Sequence, residues 1–159
     1  MPSAWRLVAE RRMDTAFSGE GSIAASGRWH HAGSRCVYVS SSLAVACLEV
    51  LVHSGGGRPV RPYVSFQIDI PDDLAIADIP RALLAEGWRG SPPPVSLQDF
   101  GSSWIRSMSS AVLRIPSAVS PSDFNFLLNP LHEDFLKIAI AAAKPFIFDE
   151  RLLVGQTAG

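Results

Sequence analysis

Glu49 lies inside the most apolar helix-like stretch of the chain, LAVACLEVLVH, with Leu48 and Val50 beside it in sequence and Ser42, Ala46 and His53 on the same helical face. Two settings fit that spacing: a narrow solvated stripe on a half-exposed helix, or the wall of a cleft. In a cleft the carboxylate is a fixed charge in surroundings of lowered dielectric, suited to stabilising positive charge that develops during a reaction. The second candidate is Arg28 in SGRWHHAGSRCVYVS, flanked by Gly27 and Trp29 where the chain bends toward a strand. Its planar guanidinium fork suits phosphate oxygens, and a surface arginine stacked on Trp29 fits the same residues. Arg6 in WRLV poses the same choice, because a charge in a short apolar strand sits at a sheet edge or turns into a polar pocket.

Other reactive side chains fall short of a motif. His30, His31, His53 and His132 include no HxxxH pair, and the adjacent His30 and His31 point to opposite sides of a strand, so no metal site is expected. Ser117 in IPSAVSP lacks the GxSxG elbow of a serine hydrolase. There is no GxGxxG and no GxxxxGK[ST], so a nucleotide, if bound, is held by something other than a Rossmann or P-loop fold.

The elements that must position these residues are legible in outline. WRLVA predicts a short first strand, and FSGEGSIAASG reads as a polar loop that suits a cover over a ligand or a plain surface loop. Leu43, Ala46, Cys47, Val50 and Leu51 recur at helical spacing, with Ser41 or Ser42 to cap the start and Gly55 to Gly57 to stop it, which predicts a helix from about Leu43 to His53. RPYVSFQIDI predicts a strand ended by Pro71, with a second short run in LAIADI. The prolines of EGWRGSPPPVS make a loop. LQDFGSSWIRSM reads as a helix interrupted by Gly101, and AVLRIP as a buried strand. In DFNFLLNP, Phe124, Phe126 and Leu128 alternate with Asn125, Leu127 and Asn129, which is strand spacing. The tail predicts one more segment of open type and then a strand or hairpin around Phe146 to Val154. Strands outnumber helices and there is no internal repeat, so the expected class is α+β in one compact domain.

Composition sets outer bounds. A chain of 159 residues, 47% hydrophobic, buries one sizeable core. With 14 Lys plus Arg against 15 Asp plus Glu the formal charge is -1, which gives no bulk attraction to nucleic acid or an anionic membrane; any anion site is local. No apolar run approaches the roughly 20 residues of a membrane span, and the N-terminal residues lack a signal-peptide core, so a cytoplasmic location is expected. Cys36 and Cys47 sit in apolar contexts and read as reduced buried thiols.

Taken in order, four separated blocks resemble the RES domain family, the toxin half of bacterial toxin–antitoxin pairs. They are WRLV with Arg6; FSGEGSIAASGRWHHAG with Arg28; CVYVSSSLAVACLEVLVH with Tyr38, Glu49 and His53; and RIPSAVSPSDFNFLLNPLHEDF with Ser117, Asn125, Asn129 and His132. The resemblance runs from about Trp5 to Leu153 and departs at His30, where the family often has asparagine after the tryptophan. It implies a single RES domain over 1–159 with a core of about 5–153, and a compact mixed α/β fold like the diphtheria-type ADP-ribosyltransferases: a split, mainly antiparallel sheet around a cleft. It further implies NAD as substrate, cleaved at the nicotinamide–ribose bond by hydrolysis or phosphorolysis. The alternatives are transfer of ADP-ribose to a host protein or, in another class, a non-catalytic binding module. Under the resemblance, Glu49 is the catalytic carboxylate, and it also holds a ribose hydroxyl or orients the acceptor. Arg28 and Arg6 face pyrophosphate, Tyr38 stacks on nicotinamide or ribose, and Ser117 bonds the carboxamide or ribose. His53 orients Glu49 or binds substrate, and Asn129 is a further NAD contact or the holder of a turn before Pro130. A cognate antitoxin, Xre-like or a related helical protein, is expected to cover the cleft.

Overall fold

The computed structural model describes residues 2–54 and 61–153. The strands are β1 (Ser3–Ala9), β2 (Val37–Ser40), β3 (Tyr63–Asp69), β4 (Ile76–Asp78), β5 (Val112–Pro116), β6 (Phe124–Leu128), β7 (Ala139–Ile140) and β8 (Lys144–Phe146). The helices are α1 (Glu20–Ala24), α2 (Leu43–His53) and α3 (Val95–Ser107). The strands form one sheet in the order β4-β5-β6-β2-β1-β3-β7, with β8 also on β3, and every pair is antiparallel except β4 with β5.

The expected split survives as a weak joint in an otherwise continuous sheet. β1 pairs with β3 over seven residues, from Ser3 opposite Asp69 to Ala9 opposite Tyr63, yet touches β2 through the single pair Trp5 and Ser40. Where the ladder stops, a side chain takes over: Arg6 Nη1 donates to the Tyr38 carbonyl at 2.8 Å and Nε to the Ala16 carbonyl at 2.6 Å. The guanidinium thus satisfies a β2 carbonyl at the joint and ties it to the carbonyl of Ala16 outside the sheet.

Alternation explains the two-sided core. On one face Val37, Val39, Val112, Phe126 and Leu128 pack together, and on the other Leu113, Ile115 and Leu127 meet Leu97, Trp104 and Ile105 of α3. Helix α2 lies on β1 through Ala46, with Leu7, Phe148 and Leu153 beside it. Its start is capped as expected, Val45 N–H donating to Ser42 Oγ at 3.1 Å; the proposed stop at Gly55 to Gly57 lies outside the described residues.

Three local readings need correction. The loop FSGEGSIAASG contains α1, opened by Gly19 at a left-handed φ of 77°. Helix α3 runs through Gly101 without interruption, because a Cβ there would overlap the Trp29 carbonyl oxygen: the glycine admits a close approach and does not break the helix. Of the strand or hairpin expected around Phe146 to Val154, the described residues up to Leu153 show only the end of β8 at Phe146; β7 and β8 both add to β3, and Glu150–Leu153 is a short 3-10 turn. Both cysteines are free thiols, and burial pushes the Cys36 thiol up to about 12.

Candidate active site

The wall of α2 that carries Glu49 faces the turn between β5 and β6. Glu49 Oε1 accepts from Ser117 Oγ at 2.9 Å and from Asn125 Nδ2 at 2.9 Å, joining residues 68 and 76 positions apart. The side chain keeps 23% of its surface exposed, so the carboxylate is anchored by one oxygen and open at the other. Glu49 is half-buried and hydrogen-bonded, which a freely solvated stripe would not give. A charge held by two neutral donors cannot turn to follow solvent, so its field is fixed in direction.

Ser117 thus spends its hydroxyl proton on Glu49. It is fully buried, and its Oγ also accepts from the N–H groups of Val119 and Ser120, at 3.2 Å and 3.1 Å, which leaves it facing Glu49 rather than a ligand. His53 lies one helical turn after Glu49. Its Nδ1 hydrogen-bonds the Glu49 backbone carbonyl at 2.7 Å and stands 3.9 Å from Oε2, and the ring is 78% exposed, so its direct hydrogen bond is to the backbone and not to the carboxylate. Asn125, which holds Oε1 through Nδ2, keeps its own Oδ1 buried without a hydrogen-bond partner among the described residues. The sequence signal for Asn125 was a lone amide in an apolar strand, on the side of β6 away from Phe126.

Arg28 does not stack on Trp29, whose ring is buried against α3. Its Nη1 donates to the carbonyls of Trp88 at 2.9 Å and Gly90 at 2.8 Å, and between them Arg89 Nε donates to the Ala118 carbonyl at 2.8 Å. One short loop is thus tied to both Arg28 and the turn that carries Ser117. Burial pulls the Arg28 guanidinium below its ordinary range, and the charge of Glu49 pushes the other way, which places the two groups within each other's field.

Tyr38 projects from β2 on the α3 side of the sheet. Its hydroxyl accepts from the Trp29 N–H at 3.2 Å and meets His30 Nδ1 at 2.8 Å, and burial raises the phenol well above its usual range. Tyr38 and His30 line a cavity of about 260 Å³ together with Arg6, Ser22, Ser26 and Cys36. Desolvation pulls Arg6 down to about 10, still protonated at neutral pH. Asn129 lies apart from this group. It is fully buried, donates through Nδ2 to the Ile105 carbonyl at 3.2 Å and accepts the Leu131 N–H through Oδ1 at 3.1 Å. Of its two sequence readings, the turn before Pro130 is the one its bonds describe. His31 pairs with Asp99 at 2.7 Å, and His132 caps the turn at Asp134, so the four histidines point to four different neighbours.

A sequence model described as the RES domain matches residues 3–149, nearly the whole chain. The chain belongs to the RES domain family. Among relatives of this RES domain is a protein named Prs ADP-ribosylating toxin, from Sphingobium sp., 36% identical over 156 residues that span 95% of this chain and 96% of that protein. Another is named Toxin Res, from Yersinia enterocolitica, 35% identical over 93% of this chain and 97% of that protein. In three dimensions the RES domain superposes on a chain of the M. tuberculosis MbcT–MbcA toxin–antitoxin complex with a TM-score of 0.71 at 16% identity, covering 91% of this chain and 83% of that one. The mixed α/β fold with a curled, mostly antiparallel sheet is thereby shared. Among the described residues no helix is long and apolar enough to cross a membrane.

Proposed function

We propose that this RES domain is the toxin of a toxin–antitoxin pair and consumes NAD by breaking the bond between nicotinamide and ribose. The observation that carries the reading is the carboxylate of Glu49, fixed through one oxygen by Ser117 and Asn125 and open at the other. The relatives named Toxin Res and ADP-ribosylating toxin point to the same chemistry.

In that reaction the C–N bond of the nicotinamide riboside breaks, its electron pair leaves with the nicotinamide nitrogen, and positive charge builds on the ribose ring. A carboxylate that cannot reorient stabilises this charge more than the ground state. Water as acceptor gives ADP-ribose and a proton; phosphate gives the phosphorylated sugar. Glu49 is the catalytic residue in this assignment, Ser117 and Asn125 hold it, and Arg28 faces the pyrophosphate with the donors that Trp88 and Gly90 leave open. Tyr38 offers its ring to nicotinamide or ribose, and Arg6 supports the substrate from the cavity wall.

Transfer of ADP-ribose to a host protein is the second reading, favoured by the name of the Sphingobium relative. An antitoxin partner is supported by the complex in which the structural neighbour was found. We assign that partner, Xre-like or otherwise helical, to the mouth of the cleft, where it competes with NAD. Incubating purified protein with NAD, with and without phosphate and with cell lysate, separates the readings. Free ADP-ribose or its phosphate supports cleavage, ADP-ribose on a lysate protein supports transfer, and intact NAD in every arm refutes both.

A further inference from the structure

His30 occupies a place that the reaction as described does not use. It is 3% exposed, flanks the cavity, and both ring nitrogens are engaged: Nε2 with the Ala25 carbonyl at 2.8 Å and Nδ1 with the Tyr38 hydroxyl at 2.8 Å. A carbonyl only accepts, so Nε2 carries the proton, and in the neutral ring Nδ1 is left as an acceptor. The Tyr38 hydroxyl then donates to Nδ1 while its oxygen accepts the Trp29 N–H at 3.2 Å. The hydroxyl is boxed in as well as bonded. A Cβ on Gly27 would stand 2.8 Å from both the Tyr38 oxygen and His30 Cε1, so only a glycine fits beside the pair.

We propose that His30 is a positioning residue for Tyr38, fixing the plane of the phenol ring by accepting its proton at Nδ1 while the Ala25 carbonyl holds Nε2–H. The proposal rests on Tyr38 contacting substrate in the NAD reaction. Protonation of His30 reverses the contact: Nδ1 becomes a donor, the phenol oxygen faces two N–H groups, and the phenol proton loses its acceptor. Around His30 the titratable and charged groups are Tyr38 on β2, Cys36 before it, the adjacent His31, Glu20 on α1 and Arg6 on β1. Burial holds the imidazole below its ordinary value of 6.5, with His31 pushing the same way and the backbone contacts of Ala25 and Ser22 opposing. The contact is therefore intact at neutral pH and fails on the acid side.

Two substitutions separate this role from simple packing. Asparagine places Oδ1 as many bonds from Cα as histidine places Nδ1, so His30→Asn keeps an acceptor that does not titrate. His30→Phe keeps a ring and removes the acceptor. Nitrogen NMR of the purified chain should show His30 protonated at Nε2 and accepting at Nδ1, with the Nδ1 signal shifting in Tyr38→Phe. Kinetics with NAD should show His30→Phe and Tyr38→Phe each lowering kcat/KM about tenfold without adding in the double variant. His30→Asn should keep activity at neutral pH and lose the acid limb of the wild-type profile. A proton on Nδ1 at neutral pH, an Nδ1 signal indifferent to Tyr38→Phe, or a wild-type acid limb in His30→Asn overturns the proposal. If His30→Phe does not fold, the asparagine variant and the NMR signal still decide. Wild-type protein that leaves NAD intact sinks the NAD reading alone, since the tautomer measurement needs no substrate.

Discussion

Replacing Glu49 by glutamine removes one charge and almost nothing else. The amide oxygen can take the place of Oε1, which accepts from Ser117 and Asn125 at 2.9 Å each, and the amide nitrogen takes the open position. Both donors stay satisfied, so folding stability should be nearly unchanged. The lost term is the attraction between the carboxylate and the developing ribose cation. For unit charges about 4 Å apart in an effective dielectric of about 20 that attraction is about 4 kcal/mol, or about a thousandfold in rate. The assay is single-turnover release of nicotinamide at saturating NAD, with NAD affinity measured separately. The expected outcome is kcat down by about a thousandfold and affinity changed by less than about tenfold, because the charge acts on the transition state. A Glu49→Gln variant that is folded and within about tenfold of wild-type kcat would refute the assignment.

Gly101→Ala should destabilise the fold by about 3 kcal/mol, measured by urea unfolding, because its Cβ meets the rigid Trp29 carbonyl; native-like stability would mean that α3 is not so close. Arg6→Met should lower stability by about 3 kcal/mol through the stranded Ala16 and Tyr38 carbonyls at the β1–β2 joint, and a loss under about 1 kcal/mol would remove that role. Asn129→Ala should reduce stability by about 2 kcal/mol and leave KM for NAD unchanged below the unfolding transition; a raised KM with intact stability would return Asn129 to the site. His30, with a folded value below 6.5, binds fewer protons than the unfolded chain on the acid side, so its contribution to stability is flat above about pH 6.5 and falls as pH drops from there through the folded value. Unfolding curves across that range should show His30→Asn with a shallower acid-side slope than wild type, and identical slopes would contradict the buried neutral ring.

Local signals in the chain were enough for the elements that local physics decides. The apolar repeat from Leu43 to Val50 and the Ser42 cap read directly as α2, and alternation in FNFLL read as β6, since spacing and capping depend on near neighbours. Gly101 misled because propensity cannot distinguish a helix breaker from a helix that must let another backbone pass. The tail misled because β7 and β8 are short edge strands whose pairing with β3 is a long-range choice. Among the candidate residues, Glu49 and Arg28 were legible as polar residues in unlikely surroundings. The link from Glu49 to Ser117 and Asn125 was not, because residues 68 and 76 positions apart meet only once the sheet is built. The same holds for His53, whose helical spacing suggested a partner for the carboxylate while its ring turned to the backbone.

In the proposed reaction this protein breaks the nicotinamide–ribose bond of NAD with Glu49 as its fixed carboxylate. Purified, partner-free protein should be given NAD with and without phosphate and with lysate, and the products separated by chromatography and identified by mass. Nicotinamide release by wild type, lost in Glu49→Gln at unchanged fold, is the predicted result. NAD left intact in every arm by folded wild-type protein would contradict it.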